Sequence, residues 1–219
     1  MTMKMKRFLI AGGNSTLLMW DYPKWQKKQL VKKYLGEVEQ IGFVEKSNGI
    51  TSLKMMGNEL CINATLALVS QLGNRGKLKT SGLDQEIKFK NINGVSYLEF
   101  PLPFNKKDNV ILFPGIGFIC SNTAVNLNKK KLSSLAKKFS LPAFGLILYQ
   151  ENKIKPYIYV KETDSLVEET ACGSGSIACS IVTGYSKIIH PTGQSILVRQ
   201  RGDIFIVGAK VVKIGESYE

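Results

Sequence analysis

The chain has 219 residues and a formal net charge of +13 at pH 7, and its length suits one large domain or two of roughly 100 residues. The charge comes from 26 scattered lysines and only four arginines, which argues against a nucleic-acid partner because nucleic-acid recognition relies on bidentate arginine contacts. No run of about 18 uncharged apolar residues indicates a membrane span, and the apolar part of residues 1–10 is too short for a signal peptide, which predicts a cytoplasmic protein.

The first part of the chain reads as strands with two helices among them. Short apolar runs bounded by Gly, Asn and Ser indicate strands, and apolar residues at helical spacing indicate helices. A glycine-rich turn at 12–16 predicts a hairpin between the first two strands, and Asn93-Gly94 predicts another. Strands are expected at 6–10, 17–20, 41–45, 53–56, 78–80, 87–90 and 97–100, and helices at 22–34 and from residue 62 to near Gly73.

The second part repeats this order after a proline-containing polar stretch at 101–109. Strands are expected at 110–113, 118–120, 145–150, 157–160 and 209–214, and helices at 128–139 and 173–184. The repeated order predicts an α+β fold of two similar halves, each a central helix wrapped by mainly antiparallel strands, with a cleft between them. We expect the halves at 1–105 and 106–205, and a closing strand at 206–219 that returns to the first half.

Two cysteine segments form a short internal repeat. Residues 57–65 read GNELCINAT and residues 168–177 read EETACGSGSI, and an apolar helix pattern follows each. Each pattern places a cysteine, Cys61 or Cys172, at a helix N-terminus, where free N–H groups and the helix dipole favour thiolate and attract an anion. Two such units facing each other predict a two-base proton-transfer site.

These two motifs, with the early Gly13-Asn14 and the segment QIGFVE at 40–45, resemble the diaminopimelate epimerase superfamily. Within that superfamily of cofactor-independent amino-acid racemases and epimerases, the resemblance is strongest to the histidine racemases of metallophore biosynthesis. It runs from end to end of the chain in order. It implies two barrel-like α/β halves with the active site between them, a free amino acid as substrate, and no cofactor.

The resemblance also implies roles for particular residues. Cys61 and Cys172 would be the acid and base, one as thiolate and one as thiol. Backbone N–H groups of Ile62, Asn63, Gly173 and Ser174 would hold the substrate α-carboxylate, and Asn14 would orient the substrate. A cationic substrate side chain could be bound by Glu45 or Glu169, although acidic residues near helix N-termini are also favoured by the dipole alone.

Departures from the family pattern keep alternatives open. Ile62 replaces the usual glycine, and no arginine precedes Cys172, which argues against diaminopimelate as substrate but leaves histidine as a candidate. A phenazine-biosynthesis-type isomerase that uses a carboxylate, or a catalytically silent amino-acid-binding module, remains as an alternative. Cys120 and Cys179 read as structural thiols and His190 as a loop residue, and no metal-ligand motif is present. A homodimer is one assembly that the sequence leaves open.

Overall fold

The computed structural model describes residues 2–126 and 128–219 of the chain. Two residues lie outside the described ranges: Met1, in the N-terminal segment 1–10 that was too short for a signal peptide, and Leu127, in the second predicted half. No helix in the described ranges is long and apolar enough to cross a membrane.

Strands surround one buried helix in the first part of the chain. They are β1 (Lys4–Ile10), β2 (Ser15–Trp20), β3 (Gln40–Ser47), β4 (Ile50–Met55), β5 (Arg75–Thr80), β6 (Ile87–Ile92) and β7 (Val95–Pro101). The helices are α1 (Lys27–Tyr34), which follows a 3-10 turn at Lys24–Gln26, and α2 (Ile62–Val69). All eight residues of α2 are buried, because its sequence is apolar apart from Asn63 and Thr65.

A second set of strands follows in the same pattern. They are β8 (Asn105–Lys107), β9 (Val110–Phe113), β10 (Ile116–Ser121), β11 (Ala143–Gln150), β12 (Lys153–Val160), β13 (Ser165–Glu168), β14 (Lys187–Ile189), β15 (Ser195–Arg201) and β16 (Ile204–Tyr218). The helices are α3 (Lys129–Lys138) and α4 (Gly173–Thr183). Helix α4 ends at Gly184, whose φ of 79° is the left-handed conformation that glycine adopts readily at a helix C-terminus.

The strands form one continuous sheet that curls around both buried helices. Its order is β1-β2-β3-β4-β5-β6-β7-β16-β15-β14-β12-β11-β10-β9-β8, with β13 beside β12 and β1 also paired to β16. Neighbouring strands are antiparallel except β2–β3, β4–β5, β10–β11 and β12–β14. Helix α2 packs against β1, β2, β4, β7 and β16, whereas α4 packs against β10, β11, β12, β14 and β15.

This arrangement confirms the predicted α+β class, with two central helices each wrapped by mainly antiparallel strands. The hairpin between β6 and β7 forms as expected, because Asn93 and Gly94 both take positive φ, 49° and 76°. The long strand β16 pairs with β1, β7 and β15. The proposed boundaries at residues 105 and 205 remain predictions.

Candidate active site

Cys61 and Cys172 are the N-cap residues of the two buried helices. Both have extended backbones, with φ of −126° and −142°, and each Sγ accepts the N–H of the third residue onward, Ala64 or Gly175, at 3.3 Å. This is the geometry by which polar side chains satisfy a free amide at a helix start. The sequence repeat therefore produces two matching thiol positions.

Both thiols line the same cavity, between the N-termini of α2 and α4. Three carboxylates line it as well, and among the described residues no lysine or arginine does. The cavity therefore favours ligands with a positive group. Its lining comprises Glu39, Gln40, Met56, Glu59, Leu60, Cys61, Ile62, Asn63, Ile116, Ile158, Val160, Val167, Glu169, Cys172, Gly173 and Ser174.

The Asn63 side chain joins the two cysteine motifs. Its Nδ2 donates to the Ala171 carbonyl at 2.8 Å, and its Oδ1 accepts the Gly173 N–H at 2.9 Å. The Gly173 N–H, expected to bind a substrate carboxylate, is thus already used within the protein. The N–H groups of Ile62 and Ser174 have no hydrogen-bond partner among the described residues and stay available for that role.

Ile62 fills the space above Gly173. A Cβ at residue 173 would lie 2.6 Å from Ile62 Cγ2 and 2.7 Å from its Cβ, much closer than real contacts allow. The branched residue that departs from the family pattern at the first motif is therefore matched by glycine at the second.

Gly173→Ala should destabilise the protein by about 1–3 kcal/mol, because overpacking forces the neighbouring backbone or Ile62 to move. In the double variant Gly173→Ala/Ile62→Ala the shorter side chain at residue 62 relieves part of the overpacking. The loss of unfolding free energy in the double variant should therefore be smaller than the sum of the losses in the two single variants. Urea unfolding of the two single variants and the double variant measures this coupling. Strictly additive losses would show that Ile62 is not what opposes a side chain at residue 173.

A hydrogen-bonded chain of polar groups links Cys61 to Glu169. The Cys61 thiol donates to Gln40 Oε1 at 3.0 Å, and Gln40 Nε2 donates to Glu169 Oε1. The charge of Glu169 also acts on the nearby Cys172 thiol and raises its pKa. Its second oxygen, Oε2, is buried without a hydrogen-bond partner among the described residues. Glu169 therefore interacts with both thiols and keeps one acceptor unused.

Burial dominates the acid–base properties of these groups. It raises the pKa of both Cys61 and Cys172 well above the usual thiol range, and the nearby Glu169 raises both further. The helix N–H groups act in the opposite direction but are outweighed, so burial controls the pKa of both thiols, contrary to the expected bias toward thiolate. Burial also raises the pKa of Glu169 to about 8 and that of Glu59 to about 7.

The raised pKa of Glu59 makes stability depend on pH. The folded protein keeps this proton up to about pH 7, whereas the unfolded chain releases it near 4.5, so the free energy of unfolding falls as pH rises through this interval. In Glu59→Gln the free energy of unfolding should fall by about 3 kcal/mol less than in wild type over the same pH interval. Urea unfolding of both proteins at about pH 5 and pH 8 tests the sign. An equal pH dependence in wild type and variant would contradict it.

Asn14 is buried but does not line the cavity. Its Nδ2 donates to Glu39 Oε2 at 3.0 Å, and its Oδ1 accepts from Thr16 at 3.0 Å. Glu39, which does line the cavity, also accepts from the Thr170 hydroxyl at 2.6 Å. Asn14 therefore contacts a cavity carboxylate rather than the cavity itself, and its expected role in orienting the substrate stays a prediction.

Glu45 lies away from the cavity. Its carboxylate accepts from the Tyr22 hydroxyl at 2.7 Å and pairs with Lys24 at 3.3 Å and Lys54 at 3.1 Å. Side chains alternate between the faces of a strand, so Glu45 and Gln40, five residues apart in β3, point to opposite sides. Gln40, which sequence reasoning did not single out, lines the cavity, whereas Glu45 does not, and the expected substrate contact by Glu45 stays a prediction without support from this geometry.

The sequence and the fold can be compared with those of known proteins. Histidine racemases from two strains of Fusobacterium nucleatum are 24% and 26% identical to this chain, covering 94% of it and 94% and 93% of their own lengths. A hydroxyproline epimerase from Agrobacterium vitis, with bound trans-4-hydroxy-L-proline, matches with a TM-score of 0.66 at 6% identity, covering 100% of this chain and 91% of its own. A phenazine biosynthesis protein of the PhzF family from Bacillus anthracis matches with a TM-score of 0.65 at 11% identity. This match covers 100% of the present chain and 99% of the Bacillus protein. No protein-family model matches the chain.

The fold is the diaminopimelate-epimerase-like fold, as the sequence motifs predicted. Within that class the chain is similar to histidine racemases along nearly its whole length. The comparisons also support the predicted enzyme class, an isomerase of the racemase or epimerase type.

Proposed function

We propose that this protein is a cofactor-independent racemase of a free amino acid, with histidine as its substrate, working by 1,1-proton transfer between Cys61 and Cys172. The observation that carries the proposal is that both thiols, each held at a helix N-terminus, line one cavity. Two opposed groups that each hold or release one proton are what inversion at an α-carbon requires.

The cavity offers a partner for each charged group of an amino acid. The α-ammonium would donate to Glu169 Oε2, the buried oxygen that has no partner among the described residues. The α-carboxylate would accept from the N–H groups of Ile62 and Ser174 at the two helix N-termini. These donors also stabilise the negative charge that moves onto the carboxylate when the α-proton leaves.

Substrate binding would prepare the thiols for proton transfer. The ammonium brings a positive charge beside Glu169, which lowers the pKa of this carboxyl and of the nearby thiols. One cysteine, as thiolate, takes the α-proton and becomes a thiol, while the opposite thiol gives its proton to the other face and becomes thiolate. The next turnover in the same direction begins after the two cysteines have exchanged a proton with solvent.

The lining also bears on the substrate side chain. Glu39, Glu59 and Glu169 line the cavity and no cation lies among its described lining, so an acidic side chain would find no positive partner there and would be repelled once these carboxyls ionise. An imidazole, neutral or protonated, would not. The relatives named histidine racemases point to the same side chain.

Proton NMR of the reduced protein in D2O tests the proposal, with L-histidine, other L-amino acids and diaminopimelate as substrates. We expect loss of the α-proton signal of histidine together with formation of D-histidine on a chiral column, and both should stop after alkylation with iodoacetamide. Exchange of another amino acid but not histidine would overturn the substrate assignment. Binding of histidine without exchange would instead indicate a silent binding module.

A carboxylate-based isomerase of the phenazine-biosynthesis type is the second candidate. It is favoured by the fold match to the PhzF-family protein and by the buried Glu169, whose raised pKa of about 8 suits an acid–base catalyst. Turnover that survives alkylation of both cavity cysteines but is lost in Glu169→Gln would select this candidate.

A further inference from the structure

His190 lies in a loop, as its sequence context indicated, and its side chain is buried. It is 3% exposed and follows β14 in a tight turn, closed by the Gly193 N–H donating to the His190 carbonyl at 2.8 Å. Thr192 in the same turn donates to the Ala11 carbonyl at 2.7 Å, which fixes the turn to the β1–β2 hairpin. The imidazole is not among the residues that line the cavity.

The imidazole takes part in a closed circuit of hydrogen bonds on the main chain of Cys172. The Cys172 N–H donates to His190 Nδ1 at 3.3 Å, Nε2 lies 3.0 Å from Ser176 Oγ, and this hydroxyl donates to the Cys172 carbonyl at 2.7 Å. Because Nδ1 accepts, Nε2 carries the ring hydrogen and donates to the hydroxyl. Each polar atom of the ring and the hydroxyl is therefore satisfied with the imidazole neutral.

Burial agrees with this assignment, since it lowers the pKa of His190 to about 3. A ring with both nitrogens occupied and a strong preference for the neutral form is poorly suited to exchange protons with a substrate. It is well suited to hold a backbone in place.

The first cysteine motif also has a hydroxyl that donates to the cysteine carbonyl, but this hydroxyl contacts a threonine instead of a histidine. Thr65 donates to the Cys61 carbonyl at 2.7 Å, as Ser176 does for Cys172, and lies 3.3 Å from the hydroxyl of Thr80. A threonine thus stands in the first half where the second half has an imidazole. Hydrogen bonds that connect the N–H and the carbonyl of the cysteine through an imidazole and a hydroxyl are therefore found at Cys172 and not at Cys61 among the described residues.

We propose that His190 is a positioning residue that fixes the main chain of Cys172 and so directs its thiol toward the substrate α-carbon. This inference rests on the proposed function in that it takes Cys172 to be one of the two acid–base groups. Fixing both the N–H and the carbonyl leaves the side-chain torsion as the main freedom of Cys172, and the Gly175 N–H holds Sγ at 3.3 Å. Misplacing a reacting atom by about 1 Å can cost about 10²-fold in rate.

The test compares three substitutions. The amide oxygen of His190→Asn occupies the place of Nδ1 and can still accept the Cys172 N–H, whereas the amide of His190→Gln reaches the place of Nε2 and contacts Ser176 instead. His190→Ala removes both contacts. We expect kcat to fall about 10- to 100-fold in the Ala and Gln variants with KM changed less than about threefold, and to recover to within about fivefold of wild type in the Asn variant.

A second measurement is independent of racemase activity. Alkylation rates of each cysteine, followed by mass spectrometry of its peptide, should change about tenfold at Cys172 in the Ala and Gln variants and stay within about twofold at Cys61. Asn and Gln variants with equal kcat, or equal changes at both cysteines, would overturn the inference. A selective change at Cys172 in a protein without racemase activity would leave the positioning role intact and refute the proposed function instead.

Discussion

Replacing either Cys61 or Cys172 by alanine should lower kcat for racemisation by about 10³-fold, the loss expected when a proton-transferring group is removed. Chiral chromatography of histidine after incubation with each variant measures it. The two other cysteines of the chain provide the matched controls. Cys179, on α4, and Cys120, on β10, are also buried but do not line the cavity, so their alanine variants should keep kcat within about threefold of wild type.

The two single variants should also differ in which enantiomer they exchange. With only one base left, a proton can be taken from one face of the α-carbon and returned to that same face, which exchanges it for deuterium without inversion. Cys61→Ala and Cys172→Ala should therefore retain exchange with opposite enantiomers of histidine in D2O. Exchange of the same enantiomer by both variants would contradict the placement of the thiols on opposite faces.

Glu169→Gln should lower kcat/KM about 10- to 100-fold, because a charge-assisted hydrogen bond to the substrate ammonium is worth about 1.5–3 kcal/mol. At the same time both cavity thiols should become more reactive at about pH 9, since the carboxylate that raises their pKa is removed. In wild type, kcat/KM should rise with pH through about 8 as Glu169 loses its proton, and the variant should lack this rise. Lower turnover combined with faster alkylation separates this role from simple unfolding.

The neighbouring residue supplies the matched control for that experiment. Glu168 is exposed and pairs with Lys155 at 2.9 Å on the outer surface. Glu168→Gln should leave both the turnover and the alkylation rates within about twofold of wild type. Equal effects at the two positions would show that general charge, rather than the buried carboxylate, controls the site.

Local signals in the sequence predicted much of the fold and the thiol positions. Glycine or polar residues before an apolar run indicated the starts of α2 and α4, and the structure makes Cys61 and Cys172 their N-caps. The Asn93-Gly94 pair fixed a hairpin because few other residues take positive φ at both positions. These features depend on residues close together in the chain.

The remaining parts of the site depend on contacts between distant residues. Gln40 meets Glu169 and His190 meets Cys172 only after the sheet has curled around both helices. Strand alternation could have favoured Gln40 over Glu45, had the register of β3 against the cavity been known. The thiol pKa was misjudged because the helix N-terminus is visible in the sequence, whereas the degree of burial that outweighs it is not.

The pairing of Ile62 with Gly173 has a kinetic consequence under the proposed function. The two enantiomers of an amino acid have equal free energies in water, so kcat/KM must be the same in both directions of racemisation. The individual constants need not be equal, because the two cysteine motifs are not equivalent: a branched residue, Ile62, follows Cys61, whereas glycine follows Cys172. This asymmetry predicts that the enzyme holds one enantiomer more tightly and turns it over correspondingly more slowly, although the final mixture contains equal amounts of both.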